Sequence, residues 1–241
     1  MKMKEDEIYR LFHEGGIQIG VGLEDQQVGK FMDYMSLLKK WNKKTNLTPI
    51  VGDKNLIIKH FFDSLSGCSL IRGEGSLVDI GSGAGFPGMV IGIYYPHMEI
   101  TLVESIGKKV LFLENTRDKL GLHNVFVVKK RAEEMGRDVK YRGKFDYAAA
   151  RAVSKLNTLS EYCLPLVKRG GCFLAYKGAS VEKEIEESEN AINILGGKLK
   201  DIMSFQLPFL QEKRNIVKII KTAESPDKYP RRVGIPKKRP L

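Results

Sequence analysis

The sequence predicts an α/β domain with a mostly parallel sheet, followed by a terminal antiparallel strand pair and preceded by a helical extension. Three observations predict it. Short apolar runs alternate with helical periodicity from Leu77 onward, the pattern of strands joined by crossover helices. The first run, Leu77-Val78-Asp79-Ile80, breaks into Gly81-Ser82-Gly83-Ala84-Gly85-Phe86-Pro87-Gly88. Glycines at such a corner let the chain turn sharply and let a ligand lie against the backbone. The last two apolar runs, at 198–205 and 215–221, are separated only by a short loop containing Pro208, too short for a parallel crossover.

The elements follow in order. Residues 1–70 read as a helical extension: Val28, Phe31, Met35 and Leu38 form one apolar stripe that runs on to Trp41. A second helix carries Ile57 to Leu65. Strands are expected at 77–81, 99–104, 125–130, 145–150 and 171–176, with helices between them at 108–120 and 181–195. The domain then spans 71–224. Residues 225–241 hold six basic residues against one acidic one, and four prolines keep this segment out of helices and sheets. It reads as a solvated basic tail suited to phosphate contacts.

Composition narrows the function classes. The net charge of +11 predicts attraction to polyanions, nucleic acid first. The N-terminal residues lack the apolar region of a secretory signal, and no run approaches the ~20 residues of a membrane span. Cys68, Cys163 and Cys172 are odd in number and widely spaced, as suits thiols in a reducing cytoplasm. The four histidines show no ligand spacing, so no metal is expected.

The glycine run supports two frames. Gly83-x-Gly85-x-x-Gly88 satisfies the fingerprint of dinucleotide-binding domains. Asp79-x-Gly81-x-Gly83-x-Gly85 resembles motif I of S-adenosylmethionine-dependent methyltransferases. Asp79 favours the second frame. A carboxylate about 5 Å from a sulfonium or ammonium gains roughly 3 kcal/mol at an effective dielectric of 20, and would be repelled by a pyrophosphate. Glu104 ends the next strand, near the spacing at which an acidic residue binds ribose hydroxyls. A nicotinamide- or flavin-dependent oxidoreductase and a non-enzymatic RNA-binding protein are the rival classes.

Over nearly its whole length the chain resembles the bacterial small-subunit ribosomal RNA guanine-N7 methyltransferases, the glucose-inhibited division protein B family. The carriers are Trp41-Asn42 with Asn46-Leu47-Thr48, His60 with Asp63-Ser64-Leu65, and the Asp79–Gly88 run. Further on come Glu104-Ser105 with Lys108-Lys109, Phe112-Leu113, Arg131-Ala132-Glu133, Ala150-Arg151-Ala152, Tyr176-Lys177-Gly178, Arg214-Asn215 and Tyr229-Pro230-Arg231. Two mild departures are Glu104, often aspartate in the family, and Lys109, often arginine. The resemblance implies a class I methyltransferase fold (Rossmann-like, seven-stranded) that uses S-adenosylmethionine, with contacts at Gly81, Phe86, Ala132, Glu133 and Arg151. Asp79, Gly83, Gly85 and Glu104 complete the expected cofactor site, and Arg151 is the candidate catalytic residue. Lys177, Arg231, Arg232, Lys237, Lys238 and Arg239 are the candidate RNA contacts. The implied partner is 16S rRNA, free or in the 30S subunit, with no membrane, no obligate protein partner and a cytoplasmic location.

Overall fold

The computed structural model describes residues 3–241. Two helices open the chain, α1 (Glu5–Gln18) and α2 (Asp25–Thr45). The stripe read in the sequence is buried: Val28, Phe31, Tyr34, Met35 and Leu38 all face inward. Asn46 ends α2 in the left-handed conformation, which asparagine tolerates. The expected second helix is there but is not uniform. It runs as α3 (Asp53–Leu56), a π-helical segment at Ile57–Phe62, α4 (Asp63–Leu65) and a 3-10 segment at Ser66–Leu70. π segments inside helices shift the faces that side chains occupy and recur at functional sites. Here the shift leaves Ile57, Ile58, His60, Phe61 and Phe62 all buried.

The sheet follows as β1 (Ser76–Ile80), α5 (Gly88–Tyr94), β2 (Glu99–Glu104), α6 (Gly107–Lys119), β3 (Val125–Lys129), α7 (Ala132–Arg137), β4 (Phe145–Arg151), α8 (Leu156–Cys163) and β5 (Val167–Lys177). Then come α9 (Glu182–Glu186), α10 (Glu189–Ile194), β6 (Gly197–Gln206), β7 (Lys213–Lys221) and α11 (Ile235–Lys238). The helix expected over 181–195 is thus two, broken at Glu187-Ser188, where the Ser188 hydroxyl donates to the Glu184 carbonyl at 2.5 Å.

Strand order is β3-β2-β1-β4-β5-β7-β6. β1 to β5 are parallel, and β7 runs antiparallel to both β5 and β6. The order reverses between β1 and β4, so a crevice opens there at the carboxyl ends of the strands. Side-chain alternation divides the core into two layers. Leu77, Ala149, Leu174 and Ile216 face the layer built with α1, α2, α5 and α6. Val78, Ile80, Ala148, Ala150, Phe173 and Val217 face the layer built with α7, α8 and α10. The helical extension therefore shares one continuous apolar layer with the sheet. Among the described residues no helix is long and apolar enough to cross a membrane.

The basic C-terminal segment is not a free solvated tail. Tyr229 and Pro236 are buried, Tyr229 lies in the second core layer, and Ile235–Lys238 forms the short helix α11 despite its proline. Proline at the first turn of a helix loses no bond the helix would otherwise make.

Candidate active site

The glycine run turns where β1 delivers it. Gly81 and Gly85 have φ of 71° and 92°, a region that costs any residue with a Cβ. A Cβ at Gly85 would also stand 2.5 Å from the Tyr34 hydroxyl. Tyr34 in turn donates to the Ala84 carbonyl, so α2 holds the loop from outside. Pro87 caps α5 from the position before its first turn.

Two carboxylates tie the loop down. Asp79 is fully buried, and its Oδ2 accepts from the Gly88 N–H at 2.9 Å. Its Oδ1 is buried with no partner among the described residues. Burial pushes this carboxyl up to about 7, against the opposing pull of the Gly88 hydrogen bond and the Arg151 charge. Glu104 accepts from Gly83 N–H at 3.1 Å through one oxygen, and from Ser105 and Ile106 N–H at 2.7 and 2.8 Å through the other. The N–H groups of Gly85 and Phe86 both donate to the Ser82 carbonyl. Of the turn's N–H donors, those of Gly83, Gly85, Phe86 and Gly88 are therefore already taken. This arrangement opposes the dinucleotide frame.

A cleft of about 340 Å3 lies over the ends of β1 and β2, within the size range of small-molecule pockets. Its apolar wall comes from Ile80, Val103, Ala132, Val153 and Val233, and Glu104 and Glu133 are its carboxylates. Gly81 forms its floor, and Lys130, Arg131 and Lys237 lie along its wall. Glu133 is buried, and its Oε1 accepts from the Gly234 N–H at 2.9 Å.

Of the residues singled out from the sequence, Gly81, Glu104, Ala132 and Glu133 line this cleft. Asp79, Gly83 and Gly85 lie outside its lining, in and beneath the loop. Phe86 does not lie along the cleft as expected. It is buried face to face with His60, ring centroids 4.4 Å apart and 8° from parallel, and stacks on its other side with Tyr34 at 5.2 Å. Arg151 also points elsewhere. Its guanidinium lies 5.1 Å from the Phe86 ring centroid and donates to Asp63 Oδ2 at 2.8 Å, His60 Nδ1 at 2.9 Å and the Lys59 carbonyl at 3.2 Å.

Burial, with the Arg151 charge adding to it, pushes His60 down to about 3, so the ring is neutral. With Arg151 donating to Nδ1, the proton is assigned to Nε2, which donates to Thr48 Oγ1 at 2.8 Å. Asn42 clasps Thr48 from both sides, accepting from its N–H at 2.9 Å and donating to its carbonyl at 2.8 Å. The Asn42, Thr48, His60 and Asp63 positions, conspicuous in the sequence but without an assigned task, are thus one network around Arg151.

The candidate RNA contacts separate into two groups. Arg232, Lys237, Lys238 and Arg239 are exposed. Arg231 is already paired: it donates through Nε and Nη2 to Glu161, whose side chain is 1% exposed, at 2.6–3.2 Å. Lys177 is likewise engaged, with Glu184 at 2.8 Å and the Ser154 carbonyl at 3.0 Å. Among the residues missed by sequence reasoning are Val233, Gly234 and Tyr162, which also line the cleft. No local pattern marks them, because their partners lie as much as a hundred positions away.

The open doubly wound sheet with its terminal antiparallel strand is the class I methyltransferase fold. The fold is shared with the solved M. jannaschii TYW2 in complex with AdoMet, at a TM-score of 0.55, 15% identity, and coverage of 72% of this chain and 79% of that one. The particular family is shown by sequence. Residues 27–217 match GidB, rRNA small subunit methyltransferase G. The chain is 47% identical over 242 residues to the ribosomal RNA small subunit methyltransferase G of Acetivibrio thermocellus, covering all of both chains. It is 42% identical over 234 residues to that of Alkaliphilus metalliredigens, covering 96% of this chain and 98% of the relative. The chain belongs to this family.

Two outcomes are expected. In the unfolded chain Asp79 titrates near about 4, whereas folded it holds its proton to about 7. Its contribution to stability is therefore present at low pH and is lost as pH rises through that window. Asp79→Asn keeps an acceptor for Gly88 and removes the titration. Relative to wild type, its cofactor-free unfolding free energy should rise by about 1–3 kcal/mol between pH 5 and pH 8; a difference that stays flat across urea titrations would contradict the burial argument. Arg231→Ala strands a buried carboxylate, so it should cost about 3 kcal/mol of stability. An RNA-contact role alone would leave the melting temperature unchanged.

Proposed function

We propose that this chain transfers a methyl group from S-adenosylmethionine to N7 of one guanine in 16S rRNA, presented free or within the 30S subunit, in the cytoplasm. The observation that carries the reading is a cleft furnished with Glu104 and Glu133 above the partnerless Oδ1 of Asp79, in a chain of a ribosomal RNA methyltransferase family. Those features suit a cofactor that is cationic and contains adenosine. In this reading Glu104 takes the ribose hydroxyls, Ala132 and Glu133 the adenine edge, and Gly81 allows close approach of the backbone. Asp79, ionised above about pH 7, supplies negative charge beneath the loop there. When bound, S-adenosylmethionine supplies an electrophilic methyl group, whose carbon–sulfur bond breaks as the carbon–N7 bond forms.

Guanine N7 carries a lone pair and no proton, so this chain needs no general base. Neutral His60 fits that economy, since it accepts from Arg151 and takes up no proton near neutral pH. Arg151 is a positioning residue in this account. Four contacts lock it between the glycine loop and Asp63. The rate enhancement then comes from alignment and from a fixed electrostatic environment. Exposed Arg232, Lys238 and Arg239 remain as phosphate contacts, while Lys237 also lines the cleft.

Labelled methyl transfer to small-subunit RNA from cells lacking this protein, supplied free and in 30S particles, tests the reading. Label confined to 7-methylguanosine at one position is expected. Label in another nucleoside would replace the reaction, and no transfer with intact S-adenosylhomocysteine binding would replace the substrate.

A further inference from the structure

Next to the cofactor cleft, and sharing Ser154 with it, a second cavity of about 350 Å3 opens at the carboxyl ends of β4 and β5. Its lining includes Lys59, His60, Asp63, Arg151, Lys177 and Arg214. We propose that this cavity receives the target guanine and that Asp63 accepts hydrogen bonds from its Watson–Crick edge, making Asp63 the residue that separates guanine from adenine. The inference deepens the N7 reading and rests on it.

The charges of the lining carry the argument. Lys59, Arg151, Lys177 and Arg214 give the opening a net positive lining that attracts an anionic RNA backbone, although Lys59 and Arg214 already pair with Glu212 and Lys177 with Glu184. A site for phosphate alone has no use for a carboxylate, yet Asp63 stands among them, nearly buried. Only one of its oxygens is fully engaged. Oδ2 accepts from Arg151 at 2.8 Å. Oδ1 makes no hydrogen bond among the described residues, and its ion-pair neighbour is Arg214 Nε at 3.9 Å. Arg214 is drawn away by Glu212, to which its Nη2 donates at 2.7 Å.

The carboxylate is also held rigidly. Arg151 is fixed by the Lys59 carbonyl, His60 and the Phe86 ring, so Asp63 cannot swing without breaking that set. A preorganised acceptor of this kind discriminates well, because the wrong partner leaves it unsatisfied.

The chemistry of the bases completes the case. On its Watson–Crick edge guanine presents two donors side by side, N1–H and the 2-amino group, whereas adenine presents an acceptor at N1. An ionised carboxylate is acceptor-only and has lone pairs to spare on Oδ2 beside the Arg151 bond. Gripping guanine by this edge leaves N7, on the opposite side of the purine, unobstructed. Reading an unpaired base by its edge is the usual route to sequence selection in RNA.

The test compares small-subunit RNA carrying guanosine or inosine at the methylated position. Inosine keeps N1–H and N7 and lacks only the 2-amino group. Wild type is expected to favour guanosine by tenfold or more in kcat/KM, and Asp63→Ala is expected to be slower on both with the preference reduced to about one. Asp63→Asn, which keeps an oxygen for Arg151, serves if the alanine variant does not fold, and should lose the preference likewise. S-adenosylhomocysteine affinity, measured in parallel, should stay within about twofold of wild type. An unchanged guanosine preference in a slower variant would overturn the inference alone and leave Asp63 as a support for Arg151. Failure of wild type to methylate N7 of the guanosine RNA would overturn the underlying reading and the inference with it.

Discussion

The stack of His60 on Phe86, capped by the Arg151 guanidinium, is the constraint from which the arrangement of the second cavity follows. Phe86 belongs to the glycine loop, His60 to the π-helical segment, and Arg151 to the end of β4. Joining them ties the helical extension to the crevice at the point where strand order reverses. A neutral imidazole is required for the join, since a protonated ring would face the guanidinium as a like charge and lose its acceptor. Burial supplies that neutrality. The π geometry explains how one helix can present His60, Phe61 and Phe62 all to the interior. Phe61 then packs edge-on against Phe12, Phe31, Tyr34 and Phe86, and carries the constraint back to α1 and α2.

The loop itself is organised by two carboxyl groups. Asp79 from below and Glu104 from the side take the N–H groups that a phosphate would otherwise claim. The same three-glycine turn that could bind pyrophosphate is thereby suited to a cation. Buried carboxylate is costly without a partner, and the unpartnered Asp79 Oδ1 is the place where that cost is concentrated. The C-terminal segment closes the cleft from the other side. Glu133 and Glu161, both buried, anchor it through Gly234 and Arg231, so its positive charge serves first to neutralise buried acid within the fold.

Much of this was legible in the chain. The five parallel strands stand within a residue or two of their expected positions at most ends, because each is a short apolar run halted by glycine, acid or a polar turn; β5 starts earlier, at Val167. The terminal pair followed from loop length. Gly81, Glu104, Ala132 and Glu133 fell in one cleft as the motifs implied. What was not legible depended on distant partners. Proline content made residues 225–241 read as solvated, whereas Tyr229 and Pro236 bury themselves and Arg231 finds Glu161 seventy positions away. Phe86 and Arg151 read as ligand contacts because they flank the turn and the switch point; their side chains are instead claimed by His60 and Asp63. A π segment has no sequence signature, so the placement of His60 and Asp63 could not be foreseen.

The central claim is that the two adjoining cavities have separate occupants. Amide hydrogen exchange with and without S-adenosylhomocysteine tests it most directly. The account predicts protection concentrated at Gly81, Ser105, Ala132 and Gly234, with the segment around Asp63 and Lys177 left as it was. Protection centred on Asp63, Arg151 and Lys177, with the Gly234 region unaffected, would contradict it and place the cofactor in the second cavity.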